Sequence, residues 1–354
     1  MKRLVIDTRA VKHNLQAIKK RTKGAAIYAV LTADARGAGF LQMAELLHSC
    51  GITRFAVSEV SEAQTLRKAG LVEEEILMLR STANRAELEQ LMDLNVVCSI
   101  GSVEAGMALN ALAESRSTVA EAHIQVDMGM GYGGLVISEP DKILSIFQNL
   151  HSVAISGVYT NFQTKASRKK AAAQMETFRQ VVEEIQRAGF ETGVVHAAGS
   201  YSTMHYDFSH LDAVRVGSAL LGRCKRTRDD DLQKVGFCET AIEDVRWLPA
   251  GHTVGYESTV RIRKPTRTAT LAVGYQNGLG VVIPSPKGPL AALRRWRGKD
   301  KPQVRLGNHR LKIIGQVGAM ETLVDVTKVK CSPGDVVQVE LDPLYARGMK
   351  KEYR

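Results

Sequence analysis

The chain has 354 residues, 44% of them hydrophobic and 24% charged, which is typical of a globular protein with room for two domains. This composition excludes long disorder, and the sequence contains no apolar stretch of about 18 residues that would predict a membrane span. The start of the chain carries Asp7 and no apolar signal segment, so we expect a cytoplasmic protein. The formal net charge of +11 favours anions in general without naming one.

From about residue 25 to 222 the chain repeats a short run rich in Ile and Val, a turn and a longer segment with helical spacing. The eight runs are AAIYAVL (25–31), RFAVS (54–58), EILMLR (75–80), VVCSI (96–100), AHIQVD (122–127), ISGVYTN (155–161), GVVHAA (193–198) and DAVRVG (212–217). This alternation predicts a (β/α)₈ barrel. A doubly wound sheet is the alternative, but no GxGxxG follows the first strand, which favours the barrel.

After residue 222 the pattern changes to short alternating segments, such as TATLAV and DVVQVEL, with turn residues between them. These segments predict a β domain of roughly 120 residues. We therefore place the barrel at 8–223 and the β domain at 224–354 together with 1–7, because KRLVID is strand-like and is expected to pair with that domain. The basic segment 284–303 is interpreted as a solvated loop, because no nucleic-acid module accompanies it; the weaker alternative is that it binds nucleic acid or an anionic partner.

The ends of the last two predicted barrel strands supply small residues, hydroxyls and backbone N–H groups. They are AAGSYS (197–202) and VGSALLG (216–222), a pair of loops that commonly binds phosphate in this fold. The alternative is that Gly199 and Gly217 only allow tight turns. Arg215 lies between apolar neighbours, so a ligand or a buried polar partner is expected for it. Asp127 is expected to cap backbone N–H groups of the turn that follows it.

Motifs along nearly the whole chain, in the same order, resemble those of the alanine racemase family. They are VIDTRAVKHNL, AVLTADARGAG, FAVSEVSEAQTLRKAG, QVDMGMGYGG, GVYTNF, VHAAGS, AVRVGSALLG, VGYEST, AVGYQNG and QVGAMETLVDV. The resemblance implies a barrel and a β domain, a pyridoxal 5′-phosphate site at the barrel mouth, and a head-to-tail homodimer that completes each site.

The resemblance also implies roles for individual residues. Arg215 matches the arginine that faces the pyridine nitrogen and, being always charged, keeps that nitrogen unprotonated. Tyr256 matches the catalytic tyrosine delivered by the partner subunit. The other matching cofactor-binding positions are His196 in the seventh strand, Ser200, Gly217 and Ser218 at the phosphate, and Tyr353 near the end of the chain.

Several positions depart from the family pattern. Thr32 stands where the family has the lysine that forms the Schiff base and serves as the second base, and threonine can do neither. The other departures are Arg36, Ala38, Gln125, Tyr132, Asn161, Asn277 and Glu321. Racemisation needs an acid and a base on opposite faces of the substrate Cα, and Tyr256 covers one face only. Lys165 and Lys169 are interpreted as surface lysines.

Two functions from different classes follow. The first is a non-racemising relative that keeps a remodelled pocket for a small phosphorylated or amino-acid-like ligand, with a binding, regulatory or assembly role. In that case pyridoxal 5′-phosphate would bind non-covalently at most, and the partner is a second copy or an active homologue. The second is an enzyme, either a residual amino-acid racemase or a catalyst of another reaction in the same pocket. We expect neither a membrane nor a nucleic-acid partner.

Overall fold

The computed structural model describes residues 2–162, 167–224, 231–255, 260–281 and 302–354. Tyr256, Lys165 and nearly all of the basic loop 284–303 lie outside these residues. The chain divides into two compact units, one of residues 1–8 and 235–354 and the other of residues 9–234. No helix in the described ranges is long and apolar enough to cross a membrane.

The elements of the described residues alternate in the first two thirds of the chain and are almost all strands afterwards. In chain order they are β1 (Lys2–Ile6), α1 (Thr8–Thr22), β2 (Ala26–Val30), α2 (Thr32–Arg36), α3 (Phe40–Ser49), β3 (Arg54–Val57), α4 (Val60–Lys68), β4 (Glu75–Met78), α5 (Arg85–Asp93), β5 (Cys98–Ile100), α6 (Val103–Ser115), β6 (Ala120–Asp127), β7 (Leu135–Val136), α7 (Pro140–Asn149), β8 (Val153–Thr160), α8 (Arg168–Arg187), β9 (Val194–Gly199), α9 (Ser200–His205), β10 (Ala213–Val216), β11 (Phe237–Leu248), β12 (Thr253–Val254), β13 (Val260–Arg261), β14 (Thr266–Leu271), β15 (Val304–Leu306), β16 (His309–Ile313), β17 (Thr322–Asp325), β18 (Val336–Glu340) and β19 (Lys350–Tyr353).

The larger unit is a barrel of eight parallel strands in the order β4-β3-β2-β10-β9-β8-β6-β5. A parallel bridge between Leu77 and Val97 joins the two ends of this order, so the sheet returns on itself. Each of the eight apolar runs forms one of these strands. The predicted (β/α)₈ barrel is therefore confirmed, and the doubly wound alternative is wrong because an open sheet would have two free edges.

The barrel strands are apolar over most of their length because helices cover the outer face. The helices bury one face each, as the sequence periodicity requires. In α8, for example, the buried residues Met175, Phe178 and Ile185 recur at helical spacing, while Lys169 near its start is exposed, as expected for a surface lysine.

The smaller unit is an antiparallel β domain. Its strands follow the order β14-β17-β16-β15-β18-β11-β1-β19, and the long strand β11 also pairs with β14. The N-terminal strand β1 pairs antiparallel with β11 and parallel with β19, which confirms the expected pairing of KRLVID with this domain. Glu239 on β11 is buried and accepts hydrogen bonds from Arg3 and Arg354, so ion pairs fix β1 and the end of the chain on the same sheet.

A left-handed turn follows β2, the first barrel strand. Ala33, Asp34, Ala35 and Arg36 all have φ between +50° and +57°, although none is glycine. Such a conformation costs roughly 1–2 kcal/mol for each L-residue. The turn is held by hydrogen bonds from the N–H of Ala35 to the Leu31 carbonyl and from the N–H of Phe40 to the Asp34 carboxylate. Backbone strain is thus concentrated directly after Thr32.

We expect Ala33→Gly to stabilise the protein by about 0.5–1 kcal/mol, because glycine adopts this conformation without a Cβ clash and only part of the gain is lost to unfolded-chain entropy. Ala173→Gly is the matched control, since Ala173 is an equally exposed alanine in the right-handed helix α8. There the same change should destabilise by about 1 kcal/mol. Urea unfolding of the two variants measures both effects, and equal destabilisation would contradict a strained turn.

Candidate functional site

The loops after β9 and β10 are joined by one hydroxyl. Ser200, the first residue of α9, accepts hydrogen bonds at its Oγ from the N–H of Gly217 (3.0 Å) and of Ala219 (3.1 Å). A hydroxyl has two acceptor lone pairs and one proton, so this arrangement leaves Ser200 only its proton to donate. Ser218 lies between the two bound amides, and its own N–H has no acceptor within the described ranges.

The two glycines of these loops differ in their surroundings. Gly199 has φ −86°, which any residue adopts, and a Cβ there would meet no atom within 4 Å. Neither backbone strain nor packing therefore requires glycine at this position. At Gly217 a Cβ would lie 3.1 Å from the Val30 carbonyl oxygen, so the small residue lets β10 approach β2 closely. The tight-turn explanation does not account for Gly199, and open space lies beside Ser200.

Arg215 on β10 is buried inside the barrel with 4% of its surface exposed. Its Nη1 donates to His196 Nδ1 at 2.5 Å, and its Nη2 donates to the Thr160 carbonyl at 2.6 Å and to the Asn161 side-chain oxygen. Its guanidinium carbon also lies 4.8 Å from the centre of the Tyr159 ring. The expected buried polar contacts of Arg215 are therefore present.

Among the residues that the structure describes, none of the groups that contact Arg215 is a carboxylate. Burial lowers the pKa of the guanidinium to about 10, so the side chain stays positively charged at neutral pH. These hydrogen bonds engage both terminal nitrogens and leave the Nε–H without an acceptor in the described part of the chain. The barrel thus holds a cation with one donor to spare, which suits an anionic ligand or a ring nitrogen with a lone pair.

His196 lies in the middle of β9 and is fully buried, not at the open end of its strand. The reason is that β9 continues to Gly199, three residues further. Burial, followed by the nearby charge of Arg215, holds the pKa of His196 well below its usual range. Both of its ring nitrogens are engaged, one by Arg215 and the other by His123 Nδ1 at 3.0 Å. A neutral imidazole with no free nitrogen is a packed, hydrogen-bonded residue.

Two tyrosines inside the barrel, Tyr28 and Tyr159, were missed by sequence reasoning. Tyr28 and Tyr159 stack on His196, and their ring centres lie 5.3 and 5.0 Å, respectively, from the centre of the His196 ring. Ser99 lies 2.8 Å from the Tyr159 hydroxyl, and Tyr28 donates to Glu75. The signal that could have found them is the one that found Arg215: a polar or aromatic residue inside an apolar strand, as in ISGVYTN and AAIYAVL.

Thr32 is half-buried at the junction of β2 and the left-handed turn. Because β2 pairs with β10, this junction neighbours the strand that carries Arg215. Among the other departures, Asn161 accepts from Arg215 and Gln125 donates to the Gly133 carbonyl at 3.3 Å, while Tyr132 is 85% exposed. Asn161 and Gln125 therefore take part in hydrogen bonds of the fold, whereas the Tyr132 side chain is exposed.

Asp127 caps the loop after β6 as expected. Its carboxylate accepts hydrogen bonds from the N–H groups of Gly129, Met130 and Gly131 at 2.8–3.2 Å. Tyr353 is in the smaller unit, on β19, where it pairs with Ile6. The roles expected for Tyr353 and for Tyr256, which lies outside the described residues, stay predictions.

The chain matches two family models. The one described as "Alanine racemase, N-terminal domain" covers residues 6–224, and the one described as "Alanine racemase, C-terminal domain" covers residues 237–343. An alanine racemase of Desulfosudis oleivorans is 30% identical over 79% of this chain and 75% of its own length. A broad specificity amino-acid racemase of Vibrio vulnificus is 31% identical over 88% of this chain and 73% of its own length.

Solved structures give the same fold at lower identity. The alanine racemase of Bartonella henselae with covalently bound pyridoxal phosphate superposes with a TM-score of 0.82 at 23% identity, covering 100% of this chain and 99% of that chain. That of Streptomyces lavendulae gives a TM-score of 0.84 at 19% identity, covering 100% and 97%. With both family models matched in order over the barrel and the β domain, this chain belongs to the alanine racemase family.

Proposed function

We propose that this protein is a member of the alanine racemase family that has lost racemase activity and uses its barrel pocket to bind a phosphorylated, pyridoxal-type ligand without covalent attachment. Its role is then binding, regulation or assembly with a partner. The observation that carries the proposal is Thr32 in the motif AVLTADARGAG, whose resemblance to the family motif implies a lysine at this position. A threonine hydroxyl neither forms an imine nor accepts a proton at neutral pH.

The lack of a suitable second base among the described candidates supports the loss of activity. Racemisation requires two proton-transferring groups on opposite faces of the substrate Cα. His196, inside the barrel, has both ring nitrogens engaged and is held neutral by burial. Lys169 is exposed on α8. Neither residue is suited to replace a lysine at the end of β2.

The residues present fit the pyridoxal 5′-phosphate that the family implies. The spare Nε–H of Arg215 suits an unprotonated ring nitrogen, because a permanently charged donor disfavours a second proton there. The Ser200 hydroxyl and the Ser218 N–H are donors for the phosphate, and the open space beside Gly199 leaves room for it. When bound, the cofactor supplies an electron-withdrawing ring, and what this chain contributes is its orientation and its anion contacts.

The wild-type protein should show no alanine racemisation above background. Thr32→Lys should give covalent attachment of the cofactor with at most trace turnover, because Arg36, Gln125, Tyr132 and Asn161 differ as well and catalytic groups acting as a unit are strongly non-additive. A D-alanine assay on both proteins measures this. A wild-type turnover in the ordinary enzyme range of roughly 1–10³ s⁻¹ would refute the proposal.

That outcome would favour the second candidate, an active amino-acid racemase. Its support is that the relatives at 30–31% identity are named alanine racemase and broad specificity amino-acid racemase. The same assay, run with several amino acids, separates the two candidates.

Gly199→Ala tests the pocket. Alanine is compatible with φ −86° and meets no neighbour, so stability should change by less than about 1 kcal/mol. The added methyl group would occupy the proposed phosphate space, so affinity for pyridoxal 5′-phosphate should fall at least about tenfold, or about 1.4 kcal/mol. Fluorescence titration measures the affinity, with unphosphorylated pyridoxal as the control ligand. Equal affinities of the wild type for the two ligands would contradict a phosphate site.

We also propose a head-to-tail homodimer, with a mixed dimer containing an active homologue as the alternative. The resemblance of VGYEST to the motif of the partner-donated tyrosine supports it, as do the large apolar side chains Tyr275 and Met320, each about half exposed in the β domain. Obligate homodimers commonly bury more than about 2,000 Å². Sedimentation should therefore find a dimer at micromolar concentration, and a monomer would count against this assembly.

A further inference from the structure

Three buried side chains inside the barrel are connected by two successive hydrogen bonds. Arg215 Nη1 lies 2.5 Å from His196 Nδ1, and His196 Nε2 lies 3.0 Å from His123 Nδ1. All three side chains are almost inaccessible, with 4%, 0% and 1% of their surfaces exposed. They come from β10, β9 and β6, so the connected side chains extend across the interior of the barrel.

The chemistry of the three side chains determines which atom donates and which accepts in each hydrogen bond. A guanidinium only donates hydrogen bonds, so His196 Nδ1 must accept and carry no proton. The proton of neutral His196 is then on Nε2, from which it is donated to His123 Nδ1. His123 in turn carries its own proton on Nε2. Each of the two histidines is thereby restricted to one tautomer.

The charges around the pair keep both rings neutral. His123 faces Arg54, Glu75, Arg215, Tyr28 and His196. Burial, which outweighs the opposing effect of Glu75, lowers the pKa of His123 to about 4. Burial, followed by the charge of Arg215, holds the pKa of His196 well below its usual range. A proton added to His123 Nδ1 would place two N–H groups against each other.

Sterics prevent the rings from turning out of this arrangement. Tyr28 and Tyr159 stack on His196 with interplanar angles of 22° and 18°. At Gly157, opposite His123 on β8, a Cβ would lie 2.6 Å from the His123 ring. Glycine is therefore required there to make room for the ring, and the imidazole has little space to reorient.

We infer that His123 is a positioning residue for the ligand site: by accepting from His196 Nε2 it keeps the Nδ1 lone pair of His196 directed at Arg215, and so holds the guanidinium in place. His123 itself is buried, with 1% of its surface exposed. The effect on ligand affinity rests on the proposed function, whereas the tautomer of His196 is a property of the ligand-free protein.

The first experiment is ¹⁵N NMR of the histidine rings in the full chain without ligand. We expect both His123 and His196 as neutral Nε2–H tautomers from pH 7 down to about pH 5, since the pKa of His123 is about 4. Detection of the Nδ1–H tautomer, or of a charged ring, at His196 at neutral pH would overturn the inference. This result does not depend on whether pyridoxal 5′-phosphate binds.

The second experiment compares His123→Asn with His123→Leu. The asparagine Oδ1 can accept from His196 Nε2 as Nδ1 does, whereas leucine has a similar size and no acceptor. We expect His123→Leu to lose about tenfold in affinity for pyridoxal 5′-phosphate and to show mixed His196 tautomers, and His123→Asn to keep the wild-type tautomer and most of the affinity.

A purely structural role of His123 would lower the affinity equally in the two variants. Both variants alter the packing of the barrel, so both should unfold at a lower temperature. Equal loss of affinity in the two variants, or an unchanged tautomer in His123→Leu, would refute the positioning role. If the wild type binds no pyridoxal 5′-phosphate, the proposed function fails while the NMR spectrum still decides the orientation of the histidine pair.

Discussion

A positive charge with no carboxylate partner among the described residues lies inside the barrel, and much of the surrounding chemistry follows from it. An arginine cannot shed its proton to relieve burial, so its neighbours must accept hydrogen bonds and remain uncharged. The Thr160 carbonyl, the Asn161 amide and a neutral His196 meet that requirement, with the face of Tyr159 alongside. The same requirement propagates to His123 through a shared hydrogen bond.

This constraint explains why the interior differs from that of most barrels of this type. Bulky aliphatic side chains commonly fill such interiors in layers. Here tyrosines, histidines and a serine take those positions, and their polar atoms bond to one another. Buried polar networks of this kind stabilise the fold only when each member has its partner. Replacement of one member therefore affects residues on several strands, even where the side chain itself is far from any ligand.

The strand runs were predictable because a strand covered by helices on its outer face must be apolar almost throughout, and eight such runs stand out in the sequence. Arg215 was predictable for the converse reason, as a charge within an apolar run. The left-handed turn after Thr32 was not, because Ala33 and Ala35 favour a right-handed helix and only tertiary contacts hold them in the other hand. His123 was missed because the segment AHIQVD does not show which side chain its histidine contacts. That contact depends on the barrel, in which β9 lies beside β8 and β8 lies beside β6.

The hydroxyl that joins the last two barrel loops also sets which kind of molecule can be recognised there. Both lone pairs of Ser200 are occupied by main-chain amides, so the hydroxyl cannot accept a further hydrogen bond from the ammonium or amide group of a ligand. It can only give one. An incoming hydrogen-bond acceptor is matched, and a donor meets a saturated oxygen. The loops are also held together before any molecule arrives, so binding does not require the chain to be ordered first. Polarity discrimination of this sort is set by the backbone and needs no charged side chain.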